Sequence, residues 1–199
     1  GIDINSGRAN ALRLVARALS RAGAALPCEI LVIEGGNKHN AIPREAWADV
    51  LMAPAKVPAF RARLEKTLAG FRAEFGSVEK DLTAGLEELP RPKIDPLTPA
   101  SAGVLIDFVL ACPHGVQRMH PEIAGLVETS NNLAILRTAK SKAHIVCSSR
   151  SPIAPALEAV RLSLGSLARL SGAKIVQPAG YPGWAPNLDS EILGTLKEL

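Results

Sequence analysis

Two side chains in this sequence are suited to gripping a small charged ligand, and both sit where the chain turns. Asn40 lies in the polar, glycine-rich stretch Gly35-Gly36-Asn37-Lys38-His39-Asn40-Ala41-Ile42-Pro43. It offers two donors and one acceptor at the base of a turn. An Asn there can also serve only to cap the turn. Arg150 closes the run Ile145-Val146-Cys147-Ser148-Ser149-Arg150, just before Ser151-Pro152. A guanidinium at a strand end has the planar fork that clamps a carboxylate through two hydrogen bonds. It can equally make an ordinary surface salt bridge. His39 adjoins Asn40 and lies within reach of the same ligand.

Other chemistry has little to build on. His114 and His120 stand beside Pro113 and Pro121 and read as loop residues, and His144 as a strand-surface residue. The four histidines are not spaced as metal ligands, so nothing in this chain holds a metal tightly by itself. HExxH, GxSxG, GxxxxGK[ST] and GxGxxG are all missing. Cys28, Cys112 and Cys147 are odd in number and far apart, which disfavours a disulfide framework and favours a reducing cytoplasm.

The elements that must position Asn40 and Arg150 follow from periodicity. Residues 8–24 carry apolar side chains at helical spacing, with Arg8, Arg13, Arg17 and Arg21 sharing much of the other face. Residues 28–33 (CEILVI) and 45–52 (EAWADVLM) read as strands on either side of the Asn40 turn. Residues 59–75 form an amphipathic helix ended by Gly76. Residues 79–89 alternate weakly, which suggests a strand, and Pro90, Pro92 and Pro96 make a stiff connector. Thr98 caps a helix with Pro99 at its first position, running to about Ala111. Residues 125–138 and 142–150 read as long strands joined by a short turn, 139–141. A helix over 154–170 stops at Gly172, and residues 174–177 (KIVQ) read as a last strand.

The pattern is α+β: antiparallel sheets covered on one face by helices, in two similar α-β-β-α-β halves, residues 1–90 and 97–180, as in a ferredoxin-like lid. Joining the two sheets edge to edge would hide exposed strand edges. At 199 residues the chain can bury one good core or two small ones. A 47% hydrophobic, 21% charged composition suits an ordinary globular protein. The net charge of +4 is scattered without a basic run, which argues against nucleic acid or a membrane surface as partner. No apolar stretch approaches the ~20 residues of a membrane span. The start carries no signal-peptide pattern. The chain opens at Gly1 rather than Met and reads as a piece of a longer protein.

Five segments in order carry a resemblance. They are Gly7-Arg8-Ala9-Asn10-Ala11, the turn from Gly35 through Asn40-Ala41-Ile42-Pro43-Arg44-Glu45-Ala46, Gly125-Leu126-Val127-Glu128-Thr129-Ser130 with Asn132, Cys147-Ser148-Ser149-Arg150-Ser151, and Gly180-Tyr181-Pro182-Gly183-Trp184-Ala185-Pro186. Together, along essentially the whole chain, they resemble the aminoacyl-histidine (Xaa-His) dipeptidases, metallopeptidases of the carboxypeptidase G and aminoacylase clan. The resemblance implies a catalytic domain with two zinc ions and a lid inserted into it, and this chain looks like the lid. The metal motifs of the catalytic domain have no counterpart here. The lid's His-Ser-Gly segment would end at Gly1. Residues 1–180 would be the lid, and residues 181–199 the start of the return into the catalytic domain. By the same resemblance Arg150 would take the terminal carboxylate of a dipeptide and Asn40 would hydrogen-bond the substrate backbone or the developing oxyanion. The implied partners are a dipeptide, the chain's own catalytic domain and, for a homodimer, a second copy. The competing reading, from another functional class, is a free-standing α+β interaction module whose sheet edges dimerise without catalysis.

Overall fold

The computed structural model describes residues 2–23, 28–139, 142–181, 183, 190 and 195. After a short 3-10 turn at Ile2–Asn5, helix α1 spans Ala11–Gly23. It starts later than periodicity suggests because Asn10 caps it: the Asn10 Oδ1 accepts from the Arg13 amide at 3.3 Å. Arg8 therefore precedes the helix and pairs with Glu79 at 3.4 Å. Strands β1 (Glu29–Gly35) and β2 (Ala46–Leu51) form an antiparallel hairpin around the Asn40 turn. Helix α2 (Val57–Phe75) packs against α1, where the Arg17 guanidinium lies 4.8 Å from the Phe71 ring and 2.6 Å from Glu74.

The second half begins with α3 (Pro99–Ala111). The Thr98 side chain accepts from the Ser101 amide at 3.1 Å, the cap read from the sequence. Three strands follow: β3 (Gly115–Met119), β4 (Val127–Ala139) and β5 (Lys142–Arg150), then α4 (Ala154–Leu170). Gly172, with φ +68°, ends α4.

The five described strands form one antiparallel sheet. β4 is its centre. It pairs with β5 from Ser130↔Arg150 to Ala139↔Lys142. Its other edge is shared, β3 along residues 127–131 and β1 at Leu136. The Gly35↔Leu136 pairing joins the two hairpins edge to edge, as the sequence suggests. Arg137 strengthens that join by donating to the carbonyls of Gly35 (2.7 Å) and Gly36.

One face of the sheet is covered by helices. Leu12, Ala16 and Leu19 from α1, Leu105 and Val109 from α3, and Val160 and Leu164 from α4 pack against Ile30, Ile33, Leu133 and Leu136. A register shift between Leu133 and Ile135 lets Leu133 and Leu136, three residues apart, enter the same core.

The order helix–strand–strand–helix occurs twice, as α1-β1-β2-α2 and α3-β4-β5-α4, with β3 added in the second half. Neither expected closing strand forms. Residues 79–89 form no strand and are mostly exposed. Residues 174–177 run along α4, where Arg161 donates to the carbonyls of Gln177 and Pro178, and Gln177 Nε2 donates to the Arg161 carbonyl. Of the expected return segment 181–199 only residues 181, 183, 190 and 195 are described, and Gly1 and residues 140–141 also lie outside the described residues.

Candidate functional site

Strand alternation divides β4 and β5 into two sets of side chains. The helix-facing set is structural. Asn131 Nδ2 donates to the Pro113 carbonyl at 2.6 Å, and Ser149 Oγ donates to Asn131 Oδ1 at 2.8 Å. Asn10 Nδ2 donates to the Leu133 carbonyl at 2.8 Å. His114 joins them: its Nδ1 accepts the Leu133 amide proton at 3.2 Å. Burial, with the Arg13 charge adding to it, lowers the His114 pKa to about 4, so the ring is neutral with its proton on Nε2. The sulfurs of Cys112 and Cys147 meet at 3.6 Å, and the hydrogen bond to Cys147 together with burial pushes the Cys112 thiol up.

The opposite set is different. Ser130, Asn132, Ser148 and Arg150 converge on the other face, and with Asn40, Ile42 and Ile4 they line a small cavity of about 20 Å³. Ser130 and Asn132 are buried at its floor, whereas Asn40 and Arg150 stand exposed at its rim. A space of that size takes roughly one water-sized group, which fits the end group of a ligand rather than a whole one.

Two features bring the rim together. Ser130 faces Arg150 across the β4–β5 ladder, so Arg150 emerges beside the floor. The Asn40 turn is bent over β4 from the other side. Gly36 begins it with φ +70°, and a Cβ there would collide with the Ala134 carbonyl oxygen. Asn132 Nδ2 then fastens the turn, donating to the Ala41 carbonyl at 2.7 Å and reaching the His39 carbonyl at 3.4 Å. The turn's outer limb is held by the Ala11 amide, which donates to the Pro43 carbonyl at 3.0 Å.

The structure thus brings Asn40 and Arg150, 110 residues apart, to one pocket on one face. His39 is exposed and contributes its backbone carbonyl; its side chain does not line the pocket. The sequence offers Ile42, Ser130, Asn132 and Ser148 only inside longer segments, and nothing in it points to Ile4. Strand alternation from Arg150 would have pointed to Ser148, and from Leu133 to Asn132.

The electrostatics favour an anion. No acidic side chain lines the pocket. Arg150 makes no salt bridge among the described residues, so the surface-pair alternative is not realised there. Hydroxyls, amides and one guanidinium can bind and orient a carboxylate, but they supply no general base near neutral pH. Among the described residues no group of three or more His, Cys, Asp or Glu could hold a metal ion.

Comparison with known proteins places the chain. Residues 1–76 match the sequence model of the peptidase dimerisation domain. Over 198 residues the chain is 31% identical to the cytosol non-specific dipeptidase of Escherichia coli (strain K12), covering all of this chain and 41% of that protein. The crystal structure of aminoacylhistidine dipeptidase from Vibrio alginolyticus superposes with a TM-score of 0.92 at 33% identity, over 98% of this chain and 40% of that one. The chain therefore spans about two fifths of the length of these relatives, and its α+β sheet is the fold of the part of the Vibrio alginolyticus structure that it covers.

Proposed function

We propose that this chain, similar along its length to part of two dipeptidases and over residues 1–76 to a peptidase dimerisation domain, is the lid that seats a dipeptide for hydrolysis by a separate catalytic domain. The observation that supports this best is the pocket itself: a guanidinium without a salt-bridge partner among the described residues, beside an amide, with buried hydroxyl and amide groups below and no acid. Arg150 takes the terminal carboxylate of the dipeptide through its two-pronged donor face. Asn40, across the rim, hydrogen-bonds the substrate backbone or the oxyanion that develops at the scissile carbonyl. His39 lies on the same turn and shapes the approach to it. Fixing one terminal carboxylate selects very short peptides, because a longer chain would carry its carboxylate away from the reacting bond.

The zinc ions that such metallopeptidases use would be held outside this chain, supplying a metal-bound water as nucleophile. The residues described here bind and orient; they do not generate the nucleophile. A second copy of this chain is the further partner that the dimerisation-domain match supports. The cytosol named for the Escherichia coli relative supports a cytoplasmic location, and no described helix is long and apolar enough to cross a membrane.

The test compares the purified 199-residue chain with the complete polypeptide that carries it, each with added zinc, on Xaa-His dipeptides. Turnover by the complete polypeptide alone is expected. Zinc-dependent hydrolysis by the 199-residue chain would overturn the division of labour between lid and catalytic domain.

A further inference from the structure

Asn132 holds the one buried side-chain polar atom that lacks a hydrogen-bond partner among the described residues, its Oδ1. The residue is 7% exposed. The orientation of the amide is settled by its other end, since Nδ2 faces two carbonyls, those of Ala41 and His39. Turning the amide over would set oxygen against oxygen at both contacts. Buried carbonyl oxygens are normally satisfied, and one left open costs stability. This one belongs to a side chain that lines the same cavity as Arg150 and Asn40.

The neighbours define what would complete it. Arg150 calls for an acceptor with negative charge. Asn132 Oδ1 calls for a donor. Asn132 lies opposite Ser148, and Arg150 lies one pleat further along β5 on the same face. Diagonal neighbours of this kind have Cβ atoms roughly 7 Å apart, close enough for two side chains to grip adjacent groups of one ligand. The C-terminal residue of a peptide presents such a pair, a carboxylate and an amide N–H separated by a single Cα.

We propose that Asn132 Oδ1 accepts the amide N–H that adjoins the carboxylate seated on Arg150. The site then reads a secondary amide next to a carboxylate, and it discriminates against a C-terminal residue whose nitrogen carries no hydrogen, such as proline or an N-methyl amino acid. Asn132 is a substrate-binding residue in this account, and it also anchors the Asn40 turn. The inference rests on the reading of Arg150 as the carboxylate seat.

The two can be tested separately in the complete polypeptide that carries this chain, from competitive inhibition constants for three small probes. N-acetylglycine has both groups, N-acetylsarcosine lacks the N–H, and N-acetylglycinamide lacks the carboxylate. The wild type should bind N-acetylglycine about tenfold more tightly than N-acetylsarcosine, the scale of one well-made hydrogen bond. Asn132→Ala should reduce that preference to less than about twofold while keeping the preference for acid over amide. A purely structural role would weaken all three probes in proportion, because the loosened turn serves them alike, and that result would overturn the proposal. So would an N–H preference that survives Asn132→Ala. Equal binding of N-acetylglycine and N-acetylglycinamide by the wild type would remove the seat from Arg150, and the proposal with it. If Asn132→Ala fails to fold, the wild-type pair still decides, since equal binding of N-acetylglycine and N-acetylsarcosine contradicts the proposal.

Discussion

The His114 imidazole accepts the Leu133 amide proton while buried near the Arg13 guanidinium, and both surroundings oppose a positive charge on it. Its pKa falls to about 4 in the folded chain from an ordinary 6.5. Between those values the unfolded chain binds a proton that the folded chain refuses. Stability is therefore full above pH 6.5 and declines as pH falls towards 4, by at most about 3 kcal/mol from this group. His114→Asn, whose Oδ1 can replace Nδ1 as acceptor, should flatten that decline. Urea midpoints of the two chains at pH 7 and pH 4.5 check this, and parallel declines would show that His114 is not the source. At this scale the sequence was informative about side chains whose chemistry is intrinsic. A guanidinium and a turn amide could be picked out by type, and the structure sets Asn40 and Arg150 in one pocket. The Asn132 oxygen was not legible. Its open valence depends on carbonyls of residues 39 and 41, more than 90 positions away. Nor was the fate of the histidines. His120 Nδ1 caps its own loop by accepting from the Glu122 and Ile123 amides, and His114 serves the core.

Elements differ in how much of their cause is local. The Asn40 turn depends on Gly36, whose left-handed backbone passes directly over β4. Gly36→Ala would combine an unfavourable φ with a collision against the Ala134 carbonyl, a loss of at least about 2 kcal/mol. For a chain of this size that lowers the thermal midpoint by roughly 4–8 °C. It should also weaken ligand binding at the rim, because Asn40 rides on the same turn. A midpoint within about 1 °C of the wild type would show that the turn can move at little cost. Helices α3 and α4 were readable almost to the residue because their signals are local: Thr98 and Pro99 at one start, Gly172 after one end. The long strands β4 and β5 were readable from their apolar and β-branched runs. Strand β3 was missed because it is short, polar and flanked by prolines, and exists only through pairing with β4. Residues 79–89 and 174–177 failed for the converse reason. Their alternation fits a strand, but instead of a ladder partner the Leu82 carbonyl accepts from Arg72 of α2 and the Gln177 carbonyl from Arg161 of α4.

At the scale of the whole molecule, the helices lie on one face of the sheet and the pocket on the other. The core can thus be stable without closing over the site, and the pocket face stays open. In the proposed role as a lid the chain contributes binding and alignment rather than reactive groups, so its effect should depend on the substrate feature it holds. The central claim is that Arg150 seats a terminal carboxylate. The most direct test is a substrate–mutant cycle on the complete polypeptide, measuring kcat/KM for a dipeptide and for its C-terminal amide in the wild type, Arg150→Ala and Arg150→Lys. Removing one partner of a hydrogen-bonded charge pair costs roughly 2–4 kcal/mol. Arg150→Ala should therefore lower kcat/KM for the dipeptide by about 30- to 1000-fold. Arg150→Lys should recover part of the loss, since an ammonium lacks the planar fork. The amide should be a poor substrate of the wild type and lose little further in either variant. Equal losses on acid and amide, or wild-type rates for Arg150→Ala on the dipeptide, would contradict the claim.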